Sequence, residues 1–296
     1  MTAAAKNHRG TIHLCDAEVV RQEAWQGEQF VLTVKAPDCA RVAKAGSFAH
    51  IQCDADIPMR RPLSIMRADK DSGEVDFLYK IVGQGLRALS HARVGDSLSI
   101  LGPIGNGFSP NPAKPRKLMI GGGVGIPPMV FLAEQLVAQG ADLSTSLVLM
   151  GSEVPFPFEQ TQSAGEIAGI EDGVNAAMPD LEQLGIPSRL ASLQGYEGCY
   201  QGYITDLAAE WLRALPADSL TEVEVFACGP EPMLEAAAKV VREFGLPCQL
   251  CLEEFMACAV GGCAGCTVPV YTGGDMAMKR VCVDGPVFAA ESIYPD

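Results

Sequence analysis

Short apolar runs separated by turn residues fill the first third of the chain. Between residue 10 and about residue 101, β-branched and aromatic positions alternate with polar ones, and turn signals such as Ala45-Gly46 interrupt them. We predict one short helix at 85–90 and β-strands at 11–15, 29–34, 48–53, 75–82 and 97–101. Several strands at this spacing predict a small antiparallel barrel.

The pattern changes after a glycine-rich turn at 102–108 and a proline-rich link at 109–115. Beyond the link, apolar runs and a 3.6-residue period predict alternating strands and helices at 117–120, 129–137, 143–150, 223–228 and 233–244. This alternation favours a doubly wound parallel sheet with right-handed crossovers. We therefore place a domain boundary in the proline-rich link.

Two glycine turns follow predicted strands of this second part. Gly121-Gly-Gly-Val-Gly125 leads from the first strand into the first helix, and Cys228-Gly229-Pro230 follows the strand at 223–228. Turns of this kind lie at the carboxyl edge of a parallel sheet, where backbone N–H groups and a helix start can bind phosphate. The alternative is a pair of tight turns without a ligand.

Two segments of the predicted barrel carry a cation beside proline or glycine. Arg61, in Arg60-Arg61-Pro62-Leu63-Ser64, offers a planar fork for a phosphate, and Ser64 offers a hydroxyl. Lys80 follows Tyr79 and precedes a pair of glycines whose N–H groups suit a pyrophosphate. Taken singly, each segment is better interpreted as a solvated loop, and the functional interpretation gains weight because the two occur in one barrel.

Four cysteines near the C-terminus have a recognisable spacing. Cys258, Cys263 and Cys266 form C-x4-C-x2-C among glycines and alanines, and Cys282 follows after fifteen residues. This is the plant-type pattern of a [2Fe–2S] cluster. A structural zinc site is the weaker alternative because its ligands usually form two short C-x2-C pairs. A disulfide framework is typical of small secreted chains.

The other cysteines and the histidines show no shared spacing. Seven cysteines are interpreted as small buried hydrophobic residues in a reducing cytoplasm: Cys15, Cys39, Cys53, Cys199, Cys228, Cys248 and Cys251. The last two form a C-x2-C, which leaves a redox pair as an alternative. The four histidines are interpreted as core or surface residues rather than ligands: His8, His13, His50 and His91.

Composition limits the possible partners. The chain has 296 residues and a net charge of −14, which argues against binding to nucleic acid and to anionic membranes. No apolar run reaches the roughly 18 residues of a membrane-spanning helix. The first ten residues contain no apolar stretch typical of a secretory signal, and we expect a frayed tail at 1–9.

Together these motifs resemble the ferredoxin-NADP reductase superfamily and, within it, the electron-transfer subunits of class 1B (NAD-dependent) dihydroorotate dehydrogenase. The resemblance covers about residues 10 to 290 and is most specific in the cysteine run and in the ending Lys279-Arg-Val-Cys282-Val-Asp-Gly-Pro-Val-Phe288. It implies an oxidoreductase subunit with an antiparallel FAD-binding β-barrel at 10–111, a doubly wound NAD-binding α/β domain at 112–248 and a small [2Fe–2S] segment at 249–296.

The resemblance also implies which residues bind each cofactor. For FAD these are Arg61, Pro62, Leu63, Ser64, Leu78, Tyr79, Lys80, Gly85 and Leu86. For NAD(H) they are Gly121, Gly122, Gly123, Gly125, Cys228, Gly229 and Pro230. For the cluster they are Cys258, Cys263, Cys266 and Cys282. No catalytic residue is assigned firmly, although Glu253 is a candidate for a contact near nicotinamide or flavin and is equally well an ordinary surface carboxylate.

Two positions depart from the family pattern. Leu86 occupies a place where relatives usually carry threonine beside the flavin phosphates, so that one hydroxyl contact is missing. The loop at 151–155 lacks an arginine often found there and carries Glu153 instead. Because a carboxylate repels a ribose 2′-phosphate, we expect a preference for NADH over NADPH.

The resemblance implies electron transfer between an FMN-containing dihydroorotate dehydrogenase catalytic subunit and NAD⁺, by way of the cluster and FAD, in pyrimidine (UMP) biosynthesis. A cytoplasmic 2+2 heterotetramer is expected. One open alternative is a FAD/[2Fe–2S] NAD(P)H reductase subunit of a sulfide- or hydrogen-linked complex. Another is an iron–sulfur or zinc scaffold that has lost its flavin.

Overall fold

Six antiparallel strands close into a barrel in the first part of the computed structural model, which describes residues 11–295. The expected tail at 1–9, and His8 with it, lies outside the described residues. The strands are β1 (His13–Trp25), β2 (Gln29–Lys35), β3 (Phe48–Ile51), β4 (Arg61–Asp69), β5 (Glu74–Lys80) and β6 (Ser97–Ile104). Their order around the barrel is β1-β2-β5-β4-β3-β6. Two short helices, α1 (Pro37–Val42) and α2 (Gly83–Leu89), complete this part.

The barrel core follows from side-chain alternation along these strands. Leu32, Ile65 and Phe77 are fully buried inside it. Strand β4 was not among the predicted strands, because its first residues Arg61 and Pro62 indicate a functional loop when the sequence is considered alone. In the structure, β4 pairs with β3 on one side and with β5 on the other.

A six-stranded sheet forms the second part and confirms the predicted α/β architecture. Its strands have the order β11-β8-β7-β12-β13-β16, and neighbouring strands are parallel except for the last pair. The strands from here to the C-terminus are β7 (Arg116–Gly122), β8 (Leu147–Gly151), β9 (Thr161–Gln162), β10 (Ala176–Ala177), β11 (Ser188–Ala191), β12 (Val223–Cys228), β13 (Cys248–Cys251), β14 (Thr267–Thr272), β15 (Asp275–Arg280) and β16 (Val287–Ala289).

The strand order reverses between β7 and β12. From this point the chain proceeds to β8 and β11 on one side and to β13 on the other, which opens a crevice at the carboxyl ends of the two central strands. Helices cover the sheet: α3 (Ile126–Ala138), α4 (Pro179–Gln183), α5 (Ile204–Ala214), α6 (Ala217–Leu220), α7 (Glu231–Glu243) and α8 (Ala290–Ile293).

Polar contacts join the barrel to the second part. The Arg67 guanidinium on β4 lies 2.7 Å from Glu134 on α3 and 2.8 Å from Asp180 on α4. The backbone N–H of Ala45 donates to Gln135 Oε1 at 3.0 Å. Because α3 begins at the first glycine turn, these contacts fix that turn relative to the barrel.

The C-terminal segment contacts both other parts. Its hairpin β14–β15 follows the cysteine run, and β16 adds an antiparallel edge strand to the large sheet. A separate buried cluster joins Phe48 and Ile104 of the barrel to Met256, Cys266 and Cys282. Among residues 11–295 no helix has the length and apolar character needed to span a membrane.

Strand β13 excludes the redox-pair alternative for its two cysteines. Cys248 and Cys251 are three residues apart in a strand, so their side chains point to opposite faces. Cys248 packs in the core on one face of the sheet and Cys251 in the core on the other. Burial also places the pKa of the Cys248 thiol far above its ordinary value.

Candidate functional site

The four predicted cluster ligands lie together in two pairs. In the outer pair, the N–H groups of Gly262 and Cys263 donate to Cys258 Sγ at 3.3 and 3.4 Å. Burial alone would raise the pKa of Cys258, but hydrogen bonds from Val260, Cys263 and Gly262 lower it to about 7. The backbone is therefore arranged to stabilise a thiolate at this position.

The inner pair is Cys266 and Cys282, which are 3% and 1% exposed. Their thiols are hydrogen-bonded to each other, and burial followed by the Cys266 thiol raises the pKa of Cys282 to about 12. Cys258 is near enough to contribute to the same shift. The inner pair thus closes the site on the side of the barrel, while Cys263 remains exposed.

The loop between the ligands has the backbone that a cluster requires. Ala259, Gly261 and Ala264 adopt φ values of 55°, 79° and 54°, in the left-handed region that glycine adopts readily and alanine only rarely. In residues 11–295, no three His, Cys, Asp or Glu side chains are arranged to hold a single metal ion. Two pairs of thiols suit a binuclear iron cluster with four cysteine ligands better than the zinc alternative.

The predicted flavin segments of β4 and α2 contact each other through Arg61 and Gly85. A β-carbon at Gly85 would lie 2.9 Å from Cζ and Nε of Arg61, so glycine leaves room for the guanidinium. Within the described residues, Arg61 donates only to the backbone carbonyls of Met59 and Arg60. Lys80, at the end of β5, has no ion pair or hydrogen bond from its amino group there. Two cations without carboxylate partners, on a chain of net charge −14, suit an anionic ligand.

Three of the predicted flavin residues direct their side chains into the core instead. Leu63, Leu78 and Tyr79 are 7%, 2% and 1% exposed. The Tyr79 hydroxyl accepts a hydrogen bond from Gln22 at 2.9 Å, and its ring stacks on Phe30 with centroids 5.4 Å apart. These residues therefore shape the barrel, and only their backbone groups are available to a ligand. Leu86 is likewise buried, at the start of α2.

The two predicted glycine turns meet at the crevice between β7 and β12. A β-carbon at Gly125 would collide with the carbonyl oxygen of Cys228, and one at Gly122 would lie 2.5 Å from Met233 Sδ. Gly123, in contrast, has a φ of 54° and no atom within 4 Å of a β-carbon position. The turns thus pack tightly against each other and leave open space above Gly123, where a dinucleotide phosphate can approach the backbone.

The structure adds a thiol contact that the sequence did not reveal. Cys228 and Cys251 occupy paired positions on β12 and β13, and their thiols are hydrogen-bonded. Both are buried. Glu253 is near enough to raise the pKa of Cys228 further. Glu253 is exposed to solvent, but surrounding protein atoms desolvate its carboxylate enough to raise its pKa.

Glu153 lies two residues beyond the end of β8. Its carboxylate accepts a hydrogen bond from Gln194 Nε2 at 3.0 Å and faces the backbone N–H of Leu193 at 3.5 Å. The residue after the second strand of a dinucleotide-binding sheet faces the adenosine ribose. The structure therefore places a carboxylate, rather than a cation, just beyond the second strand of the sheet, β8.

Exposed apolar side chains flank the cysteine site, another feature that sequence patterns did not single out. On β14–β15, Pro269 pairs with Met278 and Tyr271 with Met276, so all four share one face. On that face Tyr271, Met278 and Met276 are 37%, 54% and 56% exposed. Phe255, three residues before Cys258, is 94% exposed. In the sequence, the hairpin face corresponds to apolar residues at alternate positions on either side of the Gly273-Gly274 turn.

Comparison with known proteins gives consistent matches. Residues 253–294 match the family model for the iron–sulfur cluster binding domain of dihydroorotate dehydrogenase B. The chain is 34% identical over 252 residues to the dihydroorotate dehydrogenase B (NAD(+)) electron transfer subunit of Geobacillus sp. (strain WCH70), covering 84% of this chain and 86% of that protein. The subunit of the same name from Geobacillus kaustophilus is 33% identical, covering 89% and 92%.

Solved structures match the fold. An NADH-dependent reduced ferredoxin-NADP oxidoreductase superposes with a TM-score of 0.71 at 23% identity, covering 95% of this chain and 90% of that chain. The ferredoxin reductase of carbazole 1,9a-dioxygenase superposes with a TM-score of 0.60 at 21% identity, covering 79% and 67%. Both matches confirm a ferredoxin reductase-like barrel followed by an α/β sheet.

Proposed function

Because this chain belongs to the family of dihydroorotate dehydrogenase B (NAD⁺) electron transfer subunits, we propose that it carries electrons between a dihydroorotate-oxidising catalytic subunit and NAD⁺. The electrons pass through a [2Fe–2S] cluster and FAD on this chain, and the overall reaction serves pyrimidine biosynthesis. The observation that carries the proposal is the arrangement of three sites on one chain: the paired thiols, the cationic barrel surface and the glycine crevice.

The residues of each site fit the group assigned to it. Arg61 and Lys80 hold the FAD phosphates, and the turns at 121–125 and 228–230 hold the dinucleotide. When bound, FAD exchanges a hydride with NAD(H) and single electrons with an iron–sulfur cluster. The ion pair between Arg67 and Glu134 holds the barrel against α3 and thereby sets the distance between the first two sites.

The four cysteines hold the cluster, and the backbone around them tunes it. N–H groups of Gly262, Cys263 and Gly265 lie 3.3–3.4 Å from ligand sulfurs. Hydrogen bonds to ligand sulfurs stabilise negative charge and raise the reduction potential of iron–sulfur clusters. The same loop exposes Cys263, which supports docking of the partner at this edge of the site.

The partner is a catalytic subunit, and we propose that it contains FMN and assembles with this chain as a 2+2 heterotetramer. The exposed face formed by Pro269, Tyr271, Met276 and Met278 supports docking beside the cluster, because methionine-rich apolar surfaces are typical of protein interfaces. We also propose a cytoplasmic location, because cluster ligands must remain reduced thiols.

NADH is the proposed nucleotide. The carboxylate of Glu153 supports this preference, and no lysine or arginine follows β8 within residues 152–158 that could bind a 2′-phosphate. Sulfide- or hydrogen-linked NAD(P)H reductase complexes use the same modules, so the partner decides between these functions.

Reconstitution tests the proposal. The chain, purified with its cofactors, is mixed with a purified FMN-containing dihydroorotate dehydrogenase catalytic subunit, and NAD⁺ reduction is followed at 340 nm after addition of dihydroorotate. We expect NADH formation only with both subunits present, and a visible spectrum with flavin and cluster bands. A colourless protein, or one that binds and serves no dihydroorotate-oxidising partner, would contradict the proposal.

A further inference from the structure

A buried histidine connects the flavin strands to the cluster segment. His50 on β3 is 1% exposed, and neither ring nitrogen makes a hydrogen bond of normal geometry within the described residues. Buried polar atoms without partners are rare and costly. This imidazole has no part in the sites described above, so its position requires an explanation.

Strand register defines the face on which His50 lies. In the β3–β4 pairing, His50 is opposite Pro62 and Phe48 is opposite Ser64, and opposed residues share a face. Ala49 and Ile51 point the other way, into the barrel core. Phe48 packs with Met256 in the buried cluster that also contains two ligand cysteines. His50 therefore lies on the outer face, between the flavin motif and the cluster segment.

The backbone groups of Met256 and Arg60 both lie within hydrogen-bonding reach of the imidazole. Arg60 is itself fixed, since it donates to the carbonyl oxygens of His50 and Ser99 at 3.2 and 2.7 Å. Burial, and then the charge of Arg60, lower the pKa of His50 to about 4. The ring is thus neutral at physiological pH and carries one N–H donor.

We propose that His50 is a positioning residue, which holds the segment 252–258 against the β3–β4 strand pair through a hydrogen bond from its imidazole N–H to the Met256 backbone. Met256 lies two residues before Cys258 and three after Glu253. Fixing it sets the position of the first cluster ligand relative to Pro62 and Ser64. This inference rests on the proposed function, because it concerns transfer between FAD and the cluster.

Substitutions of His50 test this role on the protein purified with FAD and cluster. His50→Leu removes the donor, whereas His50→Asn and His50→Gln keep an N–H at the reach of the imidazole Nδ1 and Nε2, respectively. His91→Leu makes the same change at an exposed position of the barrel and serves as the matched control. Three quantities are measured: amide hydrogen exchange in 252–258, the electron paramagnetic resonance spectrum of the reduced cluster, and the rate of cluster reduction after NADH is added.

We expect His50→Leu to accelerate exchange in 252–258, alter the cluster spectrum and slow cluster reduction about 10-fold or more, as outer-shell substitutions do. NADH-to-dye turnover, which needs only the flavin, stays unchanged. His91→Leu and at least one of His50→Asn and His50→Gln behave like the wild type. If His50→Leu fails to fold, His50→Phe, which keeps a planar ring but has no N–H, provides the same comparison.

Wild-type exchange and an unchanged cluster spectrum in a folded His50→Leu or His50→Phe protein would overturn the proposal. Equal losses in the leucine, asparagine and glutamine variants would also overturn it, because they would show that packing rather than the N–H is needed. The exchange measurement requires no catalytic subunit. A wild-type protein whose cluster NADH does not reduce would therefore contradict the proposed function while leaving the test of His50 intact.

Discussion

The guanidinium of Arg61 rests on Gly85, at a distance that leaves no room for a β-carbon: Cζ and Nε would both lie 2.9 Å from it. The pairing joins the start of β4 to α2, and strand β5 lies between these two elements along the chain. Arginine offers several donors in a rigid fork, and glycine lets that fork lie against a helix start. The arrangement provides a phosphate site whose two halves depend on each other.

We predict that Gly85→Ala weakens FAD binding by displacing Arg61. Alanine favours a helix, so α2 itself is not destabilised. Loss of a charge-assisted contact costs about 1.5–3 kcal/mol, or roughly 10- to 100-fold in affinity. The measurement is a flavin fluorescence titration of the deflavinated protein.

Gly173→Ala is the control for Gly85→Ala, because a β-carbon there meets no atom within 4 Å and the backbone has no positive φ. It should bind FAD like the wild type. Undiminished FAD affinity in Gly85→Ala would show that Arg61 does not hold the flavin phosphates.

A second prediction separates the flavin from the cluster. Cys263→Ser removes one thiol of the outer pair, and the hydroxyl that replaces it is a poor ligand for iron. The variant should lose cluster absorbance and electron transfer to the catalytic subunit, yet keep FAD and NADH-to-dye activity. Cys199→Ser, a half-buried thiol outside the run, should retain all of these properties. Wild-type transfer to the partner by Cys263→Ser would exclude the cluster from the route.

Elements with long apolar runs could be predicted from the sequence, because burial on both faces leaves a clear pattern. The strand predicted at 223–228 coincides with β12, and the helices at 129–137 and 233–244 correspond to α3 and α7 within a few residues. Strand β4 could not be predicted, since Arg61 and Pro62 conceal its alternation. Strand β13 was not predicted for another reason: its four residues include two cysteines in a C-x2-C, which resembles a redox motif more than a buried strand.

The parts of the candidate site differ in how far they could be predicted from the sequence. Cysteine spacing alone predicted four cluster ligands, and the structure brings these four side chains together in two pairs. The role of His50 and the contact between Cys228 and Cys251 depend on which residues of neighbouring strands face each other. Register between strands is set by tertiary pairing and cannot be derived from one segment. Tyr79 shows the reverse case, since its motif suggested a ligand contact and the fold buries its side chain.

A third prediction concerns nucleotide choice. Glu153→Arg replaces a repelling carboxylate with a guanidinium that can pair with a 2′-phosphate, and like-charge repulsion is worth several kcal/mol. We expect kcat/KM for NADPH to rise about 10-fold or more and kcat/KM for NADH to fall. Glu159→Arg makes the same charge change at an exposed position six residues on and should leave the ratio unaltered. Equal use of both nucleotides by the wild type would contradict the role of Glu153.

The last prediction concerns a buried ion pair between β7 and β12, the two central strands that border the crevice. Lys117 on β7 and Glu224 on β12 are paired in register, with Nζ 2.8 Å from Oε2 and both side chains 5% exposed. Glu224 also accepts hydrogen bonds from the Asn111 N–H and from Gln249 Nε2. Lys117→Met leaves a carboxylate buried without its cation, which costs about 3–5 kcal/mol in the free energy of unfolding.

Chemical denaturation measures this loss of unfolding free energy, and two further variants show its cause. Lys239→Met breaks an exposed pair with Glu235 in α7 and should change stability by less than about 1 kcal/mol. The double variant Lys117→Met with Glu224→Gln removes both charges and should recover most of the loss, because the cost arises from the unpaired carboxylate. If Lys117→Met alone is as stable as the wild type, the buried pair does not hold the two central strands together at the end opposite the crevice.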